Sequence, residues 1–201
     1  MASQSERVDE EGVLHGDRLA GVVNSSRLLT AVLARWNSID LPNAFLSGSA
    51  LAQTCWNLRF GYLCTHGISD IDIVYFDPGL SGEAENSHAL RVSKIFDDFP
   101  VQVDVKNQAR VHHWYGRKFG HEIAPYKSVE TAIDNFPTTA SAVGIRPGST
   151  GLSVYAPFGL NDLLGCVVRP NKSQITQDIY EAKIVRWRAL WPALECVPWG
   201  G

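Results

Sequence analysis

Ser69-Asp70-Ile71-Asp72-Ile73-Val74-Tyr75-Phe76-Asp77 is the stretch whose reading decides the fold. Ile73 to Phe76 is an unbroken run of β-branched and aromatic residues, the pattern of a strand buried on both faces. Such a strand normally opens on apolar residues, yet this one opens on two carboxylates. Side chains alternate along a strand, so Asp70 and Asp72 point to one face, about 7 Å apart along the chain. Unpaired carboxylates that close at the mouth of a core repel each other and lose hydration. A divalent cation between them removes both problems. A turn cap at Asp70 with an Arg or Lys beside Asp72 is the alternative.

Two other segments bear on that choice. Upstream, Ala44-Phe45-Leu46-Ser47-Gly48-Ser49 is a short apolar run ending in Gly-Ser, and Ala50 to Phe60 follows with Leu51, Cys55 and Leu58 at helical spacing. A strand–Gly-Ser–helix junction leaves free backbone N–H groups and a positive helix end, which suit a phosphate. Downstream, Val101-Gln102-Val103-Asp104-Val105 alternates, with three valines on one face and Gln102 and Asp104 on the other. A third carboxylate therefore sits on a second short strand. Lys106 shares the Asp104 face, and Lys106 and Arg110 are the cations best placed to offset phosphate charge.

In this order the segments resemble the nucleotidyltransferase superfamily that includes DNA polymerase β. Its pattern is a Gly-Ser pair opening a helix, an Asp-x-Asp on the next strand and a third Asp on a neighbouring strand. Here these are Gly48-Ser49, Asp70-Ile71-Asp72 and Asp104. From roughly Leu28 to Trp199 the chain looks like a nucleotidyltransferase-like family of that superfamily. The similarity is carried by Ser69–Asp77, Val105–Tyr115, Thr138–Arg146, Tyr155–Leu163, Arg169-Pro170-Asn171 and Trp191-Pro192. One departure is the long gap between Ser49 and Asp70, which requires a longer helix or a loop over Gly61 to Ser69.

The resemblance implies an α/β (α+β) fold: a mixed β-sheet with helices on both faces, a β-hairpin extension and a C-terminal docking helix. It implies transfer of a nucleotidyl group from a nucleoside triphosphate to an unidentified acceptor hydroxyl or phosphate. Asp70, Asp72 and Asp104 would hold two Mg²⁺ (or Mn²⁺) ions, with Gly48 and Ser49 at the β/γ-phosphates. A nucleotide- or metal-binding protein without transferase activity is the rival from another class. A haloacid-dehalogenase-type phosphatase also uses Asp-x-Asp at a strand end, but wants Thr where Val74 stands. A glycosyltransferase Asp-x-Asp leaves Gly48-Ser49 and Asp104 without a purpose.

The remaining chain supplies the frame. Met1 to about Gly16 is polar, acidic and aperiodic, which predicts a disordered tail ahead of a single domain over 17–201. Leu19, Val22, Ser26, Leu29, Leu33 and Trp36 predict one amphipathic helix from Asp17 to Trp36. Ala89, Val92, Phe96 and Phe99 predict another that Pro100 ends. Read as a strand continuation, His112 and His113 point oppositely and do not converge on one metal; stacking or a hydrogen bond is their expected use. Trp114 and Tyr115 suit the core or a base. A helix capped by Ser128 is expected to end at Pro137, and a hairpin to turn at Pro147–Gly151. Asp162 is expected to cap a helix, although a polar site role is the alternative. The Arg169–Asn171 loop has no purpose legible in the sequence. Tyr180, Ile184, Trp187 and Trp191 form the stripe of the last helix, with Lys183, Arg186 and Arg188 read as a solvated face.

Bulk properties exclude several classes. The 201 residues carry 18 basic against 21 acidic side chains, a net charge of −3 that argues against general nucleic-acid binding. Four scattered cysteines (Cys55, Cys64, Cys166, Cys196) form no C-x-x-C pair and suit a reducing compartment. With no apolar run of spanning length and a polar amino terminus, a cytoplasmic protein without a membrane partner is expected.

Overall fold

The computed structural model describes residues 4–79 and 81–201. Residues 4–39 form α1 (Gln4–Ser25), α2 (Arg27–Ala34) and α3 (Trp36–Ile39). The single helix and disordered tail expected here are therefore replaced by a helix that reaches back to Gln4 and breaks at Ser26. No proline precedes Pro42, so nothing in the backbone stops the helix from extending. The break is local competition: Ser26 Oγ accepts the Leu29 N–H at 3.3 Å and caps α2. Met1–Ser3 lie outside the described residues.

Strand β1 (Phe45–Ser47) leads through Gly48 into α4 (Ser49–Phe60), and a loop over 61–69 takes up the long spacing before β2 (Asp70–Tyr75). Helix α5 (Gly82–Ile95) stops short of Pro100 and hands over to β3 (Gln102–Asn107). A 3-10 turn over Gln108–Arg110 then opens α6 (His112–Phe119). Next come α7 (Val129–Ile133), β4 (Gly144–Gly148), β5 (Gly151–Tyr155) and α8 (Asn161–Gly165). The chain closes with β6 (Val167–Val168), α9 (Gln177–Leu190) and β7 (Glu195–Cys196). Ser128 Oγ caps α7 by accepting the Thr131 N–H, but that helix ends at Ile133 rather than Pro137. Pairing in the hairpin continues to Gly148 opposite Gly151, so Ser149 and Thr150 alone make its turn.

The five-stranded sheet has the order β3-β2-β1-β4-β5. Strands β2 and β3 run parallel; β1 pairs antiparallel with both β2 and β4. Alternation divides the two faces. Leu46, Ile71, Ile73, Val103 and Val105 face the main core, packed with residues of α1, α2, α4 and α9. Phe45 and Val74 face a smaller cluster with Val129, Ile133 and Ala142. Asp70 and Asp72 share the second face with Val74, and all three line one cleft.

The docking of α9 rests on three fully buried indoles. Trp56 of α4 meets Trp187 and Trp191 edge-on, with centroids 5.0 and 5.1 Å away. Such geometry adds about 0.5–1.5 kcal/mol per pair beyond area burial. Trp191 Nε1 donates to Asn57 Oδ1 at 2.8 Å, and Asn57 Nδ2 donates to the His66 carbonyl at 2.9 Å. Buried Asn57 thus ties helix α4, the 61–69 loop and the end of α9 together. Gly67 completes the fit: at φ +66 it has no side chain, and a Cβ there would run into the Trp191 ring. No described helix is long and apolar enough to cross a membrane.

Asn57→Ala leaves the Trp191 N–H buried without an acceptor, which costs about 1–3 kcal/mol. Urea unfolding should show that loss in the midpoint with an unchanged slope. A midpoint at the wild-type value contradicts the assigned role of Asn57.

Candidate active site

Two carboxylates meet because β2 and β3 are parallel and in register, with Asp72 directly across from Asp104. Asp70 lies two residues before Asp72 on the same face. One oxygen from each of Asp70, Asp72 and Asp104 lies within 4.8 Å of the others, although Asp70 and Asp104 are 34 positions apart (104 − 70). Among the described residues this is the one cluster of at least three His, Cys, Asp or Glu side chains that could hold a metal ion.

The three share unequal surroundings. Ser69 Oγ donates to Asp70 Oδ1 at 2.5 Å. Lys106 Nζ sits 2.9 Å from Asp104 Oδ1, both side chains being partly exposed. Among the described residues Asp72 has no such partner; burial, then Asp70 and Asp104, push its pKa from 3.8 to about 7. The carboxylate of Asp72 is thus a charge that burial and repulsion together oppose in the absence of a cation.

Gly48 presses against it. At φ +81, a Cβ at Gly48 would stand 2.5 Å from Asp72 Oδ2, so neither the backbone nor the space admits a side chain. Among the described residues no side chain caps the start of α4, which leaves its first N–H groups without a side-chain acceptor beside Ser49. Gly48, Ser49, the three carboxylates and Lys106 line a cleft of about 290 Å³, whose other walls include Trp114 and Lys118 of α6, Lys183 of α9, and Tyr126 from the loop between α6 and α7.

Arg110 does not join them. The 3-10 turn after Asn107 ends the strand alternation, and Arg110 Nε pairs with Glu85 Oε2 at 2.9 Å. The same turn places His112 and His113 on α6 rather than on a strand, with rings 3.9 Å apart. His112 Nδ1 is buried without a hydrogen-bond partner among the described residues; burial, then His113, lowers the pKa of the ring. Neither histidine lines the cleft. Trp114 and Tyr115 both line the cleft, Tyr115 as a buried residue and Trp114 partly exposed. Asp162 accepts from Arg169 Nε at 2.9 Å and from Thr139 Oγ1 at 2.6 Å. Asn171 Nδ2 donates to the carbonyls of Asp134 and Phe136, at 2.6 and 2.9 Å, beyond the end of α7. The Arg169–Asn171 loop is therefore a brace.

Lys183, read from the sequence as solvated, lines the cleft instead. Its ammonium lies 4.6 Å over the Trp187 ring, and burial, then Arg186, lowers its pKa from 10.5 to about 8. The spacing to Trp187, one helical turn on, was the available signal: it sets Lys183 at the margin of the apolar stripe.

Comparison with known proteins agrees with this geometry. A family model described as nucleotidyltransferase matches residues 34–196. A solved NMR structure, reported to reveal a CCA-adding enzyme head domain, superposes with a TM-score of 0.72 at 26% sequence identity. The alignment covers 90% of this chain and 95% of that one. No curated protein matches the sequence.

Linkage sets a pH signature for the metal-free protein. An acid whose folded pKa lies above its unfolded value favours the folded state through its proton, fully so below the unfolded value. The contribution of Asp72 is thus complete below about pH 3.8 and is lost as pH rises to about 7. Denaturation in chelator across that range should show wild type losing stability relative to Asp72→Asn, and parallel curves contradict the burial of an unpaired charge.

Proposed function

The chain belongs to the nucleotidyltransferase family, and we propose that it moves a nucleotidyl group from a nucleoside triphosphate to an acceptor hydroxyl or phosphate with the help of two Mg²⁺ or Mn²⁺ ions. The observation that carries this reading is the meeting of Asp70, Asp72 and Asp104 within 4.8 Å. The donor set fits the ions: all ligands are carboxylate oxygens, which Mg²⁺ prefers, and the unpaired Asp72 favours a cation nearby. Asp70 and Asp72 would hold both ions and Asp104 the one nearer the acceptor. When bound, such ions lower the pKa of the attacking group and balance charge on the attacking and leaving oxygens.

The protein's own share is positional. Ser49 and the free N–H groups that open α4 receive the β/γ-phosphates as they become the leaving group. Gly48 keeps that backbone close to Asp72. Lys106 holds Asp104 and offsets phosphate charge beside it. Arg110, committed to Glu85, has no part in this proposal.

The rival is a protein that binds a nucleotide without transferring anything. A binder has no need of a third carboxylate beside a triphosphate, where extra negative charge weakens binding unless a second cation is present. Asp104 is the residue that separates the two. The structural relative is described by CCA addition, so a nucleic-acid 3′ end is one acceptor to test. With a net charge of −3, recognition of that end suits this chain better than binding along a strand.

Asp104→Ala should bind triphosphate almost as wild type does yet transfer at least ~100-fold more slowly, since even outer metal partners are worth about 10–100-fold. Each α-labelled triphosphate is incubated with Mg²⁺ and a cell extract as acceptor pool, and pyrophosphate release and label transfer are followed. Wild type that binds nucleotide but releases no pyrophosphate, with Asp104→Ala binding more tightly, would establish the binding protein.

A further inference from the structure

Among the described residues, Lys183 is a cation without a counter-ion in contact. It projects from α9 into the cleft that Gly48 and Ser49 line. Among the described residues it forms neither an ion pair nor a hydrogen bond; its contact is the Trp187 face. Asp72 and Asp70 attract it from a distance, whereas Arg186 and Lys118 repel it. Lys106 differs, because Asp104 holds it at 2.9 Å.

A poorly hydrated ammonium that no carboxylate closes on is unfavourable in the unliganded protein. Burial lowers its pKa to about 8, so at neutral pH the charge is kept despite that cost. The aromatic face beneath favours the cation and limits its wandering. What the position suits is an anion that arrives with the substrate. If the α-phosphate sits at the carboxylates, the rest of the phosphate chain extends toward the start of α4. Lys183 lines the same cleft, outside pairing distance of Asp72 but within its field. A triphosphate brings more charge than the carboxylate-bound ions and Lys106 balance.

We propose that Lys183 binds the β,γ-phosphate chain of the substrate and makes the cleft select nucleoside triphosphates over nucleotides with fewer phosphates. This rests on the nucleotidyl-transfer reading above. Lys183 is then a specificity-determining residue, and Lys118, whose ammonium lies 5.5 Å over Trp114 at the rim, adds to the same positive potential.

Two variants test it on the 201-residue chain. Lys183→Met keeps the packed stem and removes the charge, while Lys183→Arg keeps the charge. Calorimetry with Mg²⁺ compares α,β-methylene triphosphates with the matching monophosphates. Lys183→Met should weaken triphosphate binding by about tenfold or more and monophosphate binding by less than about twofold, as expected for one charge-assisted hydrogen bond. Lys183→Arg should restore most of the difference. Mn²⁺ alone, followed by EPR, should bind the Met variant as tightly as wild type or more so, because a competing cation is gone. Equal losses for both nucleotides, or loss of Mn²⁺ binding, would make Lys183 a support for the carboxylates and overturn the proposal. Wild type that prefers triphosphates, with an unchanged Met variant, sinks the clamp alone. Wild type that takes up Mn²⁺ but no nucleotide sinks the transfer reading and the clamp with it.

Discussion

The in-register parallel pairing of β2 with β3 brings Asp72 across from Asp104, and the rest of the structure holds that arrangement against its own repulsion. At an effective dielectric of about 20, two unit charges about 5 Å apart repel by about 3 kcal/mol. The opposing term comes from the other face of the same strands. Ile71 and Ile73 are fully buried there, with Val103 and Val105 nearly so. Each contributes about 1.5–3 kcal/mol by leaving water. A one-residue slip of register would exchange the two faces, carrying valines into the cleft and carboxylates into the core. The strands are thus fixed by their apolar side in a position that strains their polar side.

That strain is unevenly relieved, and the unevenness is informative. Asp104 has Lys106 and Asp70 has Ser69, but among the described residues Asp72 has no such contact partner, and the Gly48 backbone lies against it. The side chain with the least relief is the central one of the cluster. An ion between the three oxygens would answer the repulsion and the desolvation together. The indole cluster serves the same site from further away: Trp56, Trp187 and Trp191 seat α9 so that Lys183 reaches the cleft.

The faces of strands and helices were legible in the sequence. Alternation over Asp70–Phe76 and Val101–Val105 placed three carboxylates on one face. The Tyr180–Trp191 stripe foretold the docking of α9. What periodicity leaves out is where the chain stops obeying it. Ser26 breaks a helix whose apolar spacing runs on without interruption, through one side-chain hydrogen bond. The 3-10 turn after Asn107 takes Arg110 and the two histidines off the strand pattern, and Glu85, 25 positions earlier, claims Arg110. Lys183 departs from a solvated face for a related reason: a residue at the margin of a stripe is buried or exposed according to what docks beside it. Local spacing does not contain that information. The Arg169–Asp162 and Asn171 contacts are likewise tertiary and invisible to a window of sequence.

The central claim is that the three carboxylates form one metal-dependent phosphate site. The most direct measurement is anomalous diffraction from crystals grown with Mn²⁺ and an α,β-methylene nucleoside triphosphate. The account predicts two peaks about 3.5–4 Å apart, both ligated by the Asp70, Asp72 and Asp104 set, with the phosphate chain at Gly48-Ser49. Peaks elsewhere, or a triphosphate bound away from an ion-free triad, would contradict it.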